Sequence, residues 1–296
     1  MKTQIVLVPG PWMGAWCWEP VSQRLRELGH DALAVTLPGL ASAREDVSHV
    51  GLECHVEAVM EVLDERDLRD VVLVGHSYSG LVVGQVADRM PDRVAHTVYV
   101  EGFLPHDGKS LLHAFPERLR ESELRQIADN EGRWPAPDAS VVGDGQGLTA
   151  RQAHLLARRF VGHPGRTVAD PVKLTRPLAE QRATYVVCSM EHVDGQIAAD
   201  VTAMRMAPSW DFETLHTGHW PMISTPGPLA GLLAAIADRI ADRTADRTAD
   251  RTADRTTDRT ADRTTDRPDG RITDRPTGRA AVPEGAGERR RTHEGA

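Results

Sequence analysis

Val71-Val72-Leu73-Val74-Gly75-His76-Ser77-Tyr78-Ser79-Gly80 decides how this chain is read. A four-residue apolar run rich in valine is the pattern of a strand buried on both faces. It is followed by Leu81-Met90, apolar at Leu81, Val82, Val83, Val86 and Met90 and stopped by Pro91, which predicts a central, buried helix. A serine at such a strand-to-helix junction sits on a tight turn that lifts its hydroxyl over the edge of the sheet, and the following N–H can face a developing oxyanion. Gly75 and Gly80 supply the small neighbours the turn needs, with Ser79 at a position where glycine is usual. Ser77 is therefore the candidate nucleophile, and the bland alternative is a Gly/Ser turn without chemistry.

Working outward, Ile5-Val8, Ala32-Leu37, Val94-Val100, Thr184-Cys188 and Asp211-Leu215 read as further strands alternating with helical patterns, so the fold class is α/β with a mostly parallel sheet covered on both faces. A first helix opens at Pro20, presents Val21, Leu25 and Leu28 on one face, and closes at Gly29. From Phe103 to about Leu178 the rhythm changes to polar helices, Glu117-Asp129 and Thr149-Phe160, separated by a Gly/Pro-rich stretch from Gly132 to Gly147. This reads as a helical lid inserted at the carboxyl edge of the sheet, where ligands bind in open α/β folds.

The 296 residues carry a formal net charge of -8, and that charge arises before residue 241, because beyond it Asp, Glu and Arg nearly cancel. Residues 241–296 repeat Ala-Asp-Arg-Thr with Thr-Asp-Arg variants and contain almost nothing able to form a core, which predicts a disordered tail after one domain at 1–240. The period of four is too short and too polar for a solenoid unit. No nucleic-acid footprint follows from this charge. Cys17, Cys54 and Cys188 are scattered among apolar stretches, as reduced core residues are. The start of the chain shows no basic-then-apolar leader and no apolar run approaches a bilayer span, so a cytoplasmic, membrane-free protein is expected, acting on a small molecule without metal or organic cofactor.

A serine nucleophile needs a base, which in this architecture arrives after the last strand. His216 and His219 both lie in that window, and His219, following Gly218, has the sharper exit from the strand and is the expected base. The orienting acid should follow Thr184-Cys188, where Glu191 comes first. Asp194, one turn further, and Glu101, after Val98-Tyr99-Val100, are alternatives. An aspartate-nucleophile reaction such as epoxide hydrolysis or dehalogenation is disfavoured by serine at 77.

Val6-Leu7-Val8-Pro9-Gly10-Pro11-Trp12-Met13-Gly14-Ala15-Trp16-Cys17-Trp18, the Gly-His-Ser-Tyr-Ser-Gly turn and Gly218-His219-Trp220-Pro221-Met222 together resemble the α/β-hydrolases of the plant methylesterase and hydroxynitrile lyase group and their bacterial relatives, over about residues 1–236. The resemblance implies a Ser77–His219–Glu191 triad, at whose acid position that group usually carries aspartate. Cyanohydrin-cleaving members carry a lysine after the catalytic histidine and a threonine in the first Gly loop. This chain has Trp220 and Pro11 there, which favours ester hydrolysis. The group takes one oxyanion-hole N–H from the residue after the loop glycine, and Pro11 has none to give. Tyr78 and Trp12 are then the candidate donors, and Trp12, Met13, Tyr78 and Trp220 the candidate substrate-binding residues, with core packing as their bland alternative. Three functions follow as expectations: hydrolysis of a small carboxylic ester, thioester or lactone; a lyase- or cyclase-type reaction on a carbonyl substrate with the same Ser–His pair; or ligand binding without catalysis.

Overall fold

The computed structural model describes residues 2–190 and 198–262, with side chains through 245. Six strands, β1 (Gln4–Val8), β2 (Asp31–Ala34), β3 (Val71–His76), β4 (Val94–Val100), β7 (Ala183–Cys188) and β8 (Trp210–Leu215), form one sheet in the order β2-β1-β3-β4-β7-β8. Every pairing in it is parallel. Two short strands, β5 (Arg133–Trp134) and β6 (His163–Pro164), pair antiparallel inside the lid.

Alternation along the strands explains why both faces are dry. Val6, Val8, Val71 and Leu73 join one core, while Ile5, Leu7, Val72 and Val74 join the other. The first core is closed by α2 (Leu52–Glu65), through Val56, Val59 and Leu63, and by α3 (Ser79–Arg89), through Val82, Val83 and Val86. The second is closed by α1 (Glu19–Glu27), through Val21 and Leu25, and by the last helix, α10 (Pro226–Asp262), through Leu229, Leu233 and Ile236. Gly29 ends the first helical segment at φ 96°, the left-handed exit glycine makes without steric cost. The helix α2 has no counterpart in the sequence reading, although its Val56, Val59 and Leu63 follow helical spacing.

The lid contains α4 (Glu117–Asp129), α5 (Ala139–Gly143), α6 (Ala150–Arg159) and α7 (Gly165–Ala169). Arg133 fastens its inner strand pair to the loop after β2, donating to the carbonyls of Gly39 at 3.0 Å and Glu45 at 2.7 Å. After β7 come α8 (Ala199–Met204) and, beyond β8, α9 (Pro221–Ser224).

The chain divides into compact units at Met1–Arg247 and Thr248–Ala296. Helix α10 continues to Asp262, past the boundary at 240 that composition suggested. Alanine and arginine are good helix formers, and the four-residue period sets each Arg three residues before an Asp, a favourable helical spacing. The remainder of the repeat, 263–296, lies outside the described residues. Among the described residues no helix is long and apolar enough to cross a membrane. Cys17 and Cys188 are buried and Cys54 is half-buried.

Candidate active site

Ser77 stands between β3 and α3 with φ 51°, a left-handed backbone that a non-glycine residue adopts at a cost and keeps only when its surroundings hold it. They do so from both sides. Its N–H donates to the Val100 carbonyl at 3.2 Å, and its carbonyl accepts from Gly80 and Phe103, each at 3.0 Å. A Cβ on Gly80 would come within 2.2 Å of the Phe103 carbonyl oxygen, so glycine is required at 80. The departure from the usual motif at 79 has a use: the Ser79 hydroxyl donates to the Pro9 carbonyl, tying the nucleophile turn to the first loop.

His219 enters from the loop between β8 and α9. Its Nε2 lies 3.0 Å from Ser77 Oγ, placed to accept the hydroxyl proton. Two contacts hold its backbone. The N–H donates to Gln146 Oε1 at 2.6 Å, and the carbonyl accepts from His76 Nε2 at 2.7 Å. Gly218 permits the first, because a Cβ there would sit 2.6 Å from the Gln146 Cα. The fully buried His76 ring is held well below the ordinary histidine range by burial and by its neighbour His219, so it stays neutral and donates from Nε2. His216 points elsewhere: it is exposed and meets Ser189 Oγ at 3.0 Å.

Of the three carboxylates considered for the acid, Glu191 and Asp194 lie outside the described residues. Glu101, at φ 45° beyond β4, accepts the Cys188 N–H at 2.6 Å.

The candidate oxyanion donors differ. The Tyr78 N–H makes no hydrogen bond to a described carbonyl and opens α3, where the helix dipole favours negative charge. The Trp12 N–H is directed at His163 Nδ1, 3.4 Å away, from a left-handed residue at φ 64°.

Of the four candidate substrate-binding residues, Met13, Tyr78 and Trp220 are buried and Trp12 is half-buried. Met13 has no exposed surface and packs in the core beside Cys17 and Trp18. The Tyr78 ring is equally buried, its hydroxyl donating to His55 Nδ1 at 2.9 Å while His55 Nε2 meets the Pro38 carbonyl. Burial holds His55 down at about 4, so this pair is an uncharged core contact. A side chain on a tight turn need not share the direction of the backbone group beside it, since such a turn throws successive side chains to opposite sides. Trp12 and Trp220 do belong to an aromatic wall. Trp12 packs on Trp134 at 4.6 Å and on Phe160 at 6.0 Å, and Phe160 reaches Trp220 at 5.7 Å, which meets His219 at 5.0 Å.

His76, Gln146, Phe160 and His163 were not singled out in the sequence. His76 carried a signal in its position beside Ser77, whereas the lid residues had none, because only tertiary contact brings them here. Among the described residues no group of three or more His, Cys, Asp or Glu side chains could hold a metal ion.

Residues 5–232 match the alpha/beta hydrolase family. The chain is 39% identical to a carbendazim hydrolyzing esterase of Nocardioides sp. (strain SG-4G), over 78% of this chain and 98% of that protein. It is 33% identical to methylesterase 1 of Arabidopsis thaliana, over 80% of this chain and 97% of the relative. An extracellular alpha/beta-hydrolase from a Paenibacillus species has the same fold, with TM-score 0.70 at 20% identity over 79% of this chain and 98% of the other. With the family match spanning most of the domain and these relatives covered almost end to end, the chain belongs to the alpha/beta hydrolase family.

Proposed function

We propose that this protein hydrolyses a small carboxylic ester, thioester or lactone through an acyl-enzyme on Ser77. The observation that carries the reading is the 3.0 Å approach of His219 Nε2 to an Oγ held on a left-handed turn. Ser77 Oγ attacks the carbonyl carbon as its proton passes to His219 Nε2, and the carbonyl electrons move to oxygen. The Tyr78 N–H at the start of α3 is the backbone group suited to that oxyanion. Collapse of the intermediate expels the alcohol or thiol, which takes the proton from His219. Water then attacks the acyl-serine, giving its proton to the same nitrogen, and the carboxylic acid leaves as Ser77 is restored. Both relatives named above are esterases by name, which supports the same reaction class here. The aromatic wall of Trp12, Phe160 and Trp220 supplies an apolar surface beside the base. No step calls for a metal or organic cofactor.

A second reading has one observation in its favour. Pro11 removes a backbone donor from the oxyanion loop, which suits a lyase- or cyclase-type reaction on a carbonyl substrate, with Ser77 and His219 moving protons. A fluorophosphonate separates the two. Ser77 modified by the probe, together with turnover of a panel of short and aromatic esters that Ser77→Ala abolishes, is expected for the hydrolase. Turnover without a reactive Ser77 would overturn it.

A further inference from the structure

The loop Pro9–Trp12 is strung between the nucleophile turn and the lid. On one side Ser79 donates to the Pro9 carbonyl, and Gly10 lies so close that a Cβ there would be 3.2 Å from Ser77 Cβ and 2.5 Å from His76 Nδ1. On the other side, Trp12 is gripped by three hydrogen bonds from the lid's inner strands and the residues just before β6. Its carbonyl accepts from Val161 N–H at 2.9 Å, its indole Nε1 donates to the Trp134 carbonyl at 3.2 Å, and its N–H points at His163 Nδ1 at 3.4 Å. Trp134 and His163 are themselves partners in the β5–β6 pair.

We propose that the lid's inner strand pair positions the oxyanion loop, and that His163 is the positioning residue through which it acts. This rests on the hydrolase reading above and assigns that site a determinant outside the Ser–His pair.

Three features of His163 support the assignment. It has no exposed surface, and its ring stands edge-on to Tyr78 at 4.6 Å, so its orientation is fixed. A backbone N–H must donate, so Nδ1 is the acceptor and the ring proton resides on Nε2, which is buried with no hydrogen-bond partner. A buried orphan donor calls for an explanation, and the bond made by the other nitrogen provides one. Burial also holds the ring far below the ordinary histidine range, with His55 and Arg133 adding to the effect, so the lone pair on Nδ1 persists at neutral pH.

The direction of the effect follows from the backbone. A bulky residue at φ 64° is in a disfavoured region and relaxes when its restraints are removed. Pro11 leaves the Trp12 N–H as the next donor available along the loop. Its bond to a neutral imidazole is long, and an oxyanion is the stronger acceptor, so the N–H can be handed over during the reaction, the oxyanion then taking the place of His163 as the acceptor that holds residue 12. Without His163 the loop loses its set before the reaction begins.

The test uses the full chain and p-nitrophenyl acetate. His163→Phe keeps a ring against Tyr78 and removes the acceptor, whereas His163→Asn retains an acceptor atom near the Nδ1 position. The expected result is a fall in kcat on the order of 100-fold for His163→Phe, with KM within about twofold, and recovery of most of that loss in His163→Asn; a packing role alone would not produce this split. Unchanged or increased kcat in a folded His163→Phe overturns the proposal. Should that variant not fold, His163→Leu replaces it, and equal kcat for His163→Leu and His163→Asn overturns the proposal as well. Fluorophosphonate labelling of the wild type separates the levels: no labelling and no turnover removes the hydrolase reading and this proposal with it, whereas a labelled, active wild type beside an unaffected His163→Phe removes this proposal alone.

Discussion

His219 Nε2 lies 3.0 Å from Ser77 Oγ across a sequence separation of 142 residues. Two side chains acting as one unit give non-additive losses. Ser77→Ala and His219→Ala should each lower kcat on an activated ester by on the order of 10⁶, and the double variant should fall little further. Steady-state kinetics on the three proteins checks this, and additive losses would show that the residues act separately.

His76 holds the His219 carbonyl at 2.7 Å, and the two rings meet at 4.9 Å with their planes tilted by 55°. His76→Phe keeps the ring and deletes the donor, freeing the base's loop. A fall in kcat of about 10- to 100-fold is expected, since small misplacements of a catalytic group carry costs of that size. Equal activity in wild type and variant would reduce His76 to a packing residue.

Pro11 interrupts the loop that borders Ser77. Pro11→Ala restores one backbone N–H, and a single oxyanion donor is worth about 3 kcal/mol of barrier. A rise in kcat on an activated ester is expected. No gain would mean that the loop does not aim residue 11 at the reacting oxygen.

Gly80 touches backbone, which cannot rotate away: an added Cβ would be 2.2 Å from the Phe103 oxygen. Gly80→Ala should therefore cost about 3 kcal/mol in stability, the upper end of overpacking effects, read by urea denaturation. Gly227→Ala, where an added Cβ meets nothing, is the control and should be nearly neutral.

His106 Nε2 and Asp200 Oδ2 meet at 3.0 Å beside a cavity of about 700 Å³ lined by Leu81, Phe103 and Leu111. The hydrogen bond raises the His106 pKa and lowers that of Asp200. The His106 contribution is complete below the ordinary histidine value and is lost as pH rises through the raised one. The Asp200 contribution is complete above the ordinary carboxylate value and is lost as pH falls through the lowered one. Both operate near pH 5 to 6, by about the ordinary values. Asp200→Asn should then destabilise by up to about 1 kcal/mol there, the ceiling for a half-exposed pair, and by less at about pH 9. Thermal unfolding at the two pH values measures the difference, and an equal shift at both would exclude the ion pair as its source.

The strands β1, β3, β4 and β7 were readable within two residues because strands buried in the middle of a sheet are dominated by apolar residues, and the edge strand β8 was readable from the alternation of Trp210 and Phe212 with Asp211 and Glu213. Their number and alternation with helices pointed to a parallel sheet, and the turn at Gly75–Gly80 singled out Ser77 as the candidate nucleophile. Chain order after the last strand was enough to prefer His219 over His216. Those features are written in local pattern, where one residue's chemistry and its immediate neighbours suffice.

What the sequence left open depends on contacts between distant segments. That Met13 and the Tyr78 ring face the core, that Gln146 and His76 share the backbone of His219, and that Trp12 is gripped by Val161, Trp134 and His163 could be decided only when the lid folded back over the sheet. A side chain's direction on a tight turn, and the partner that a buried polar atom finds, are set by packing in three dimensions and leave no periodic trace along the chain.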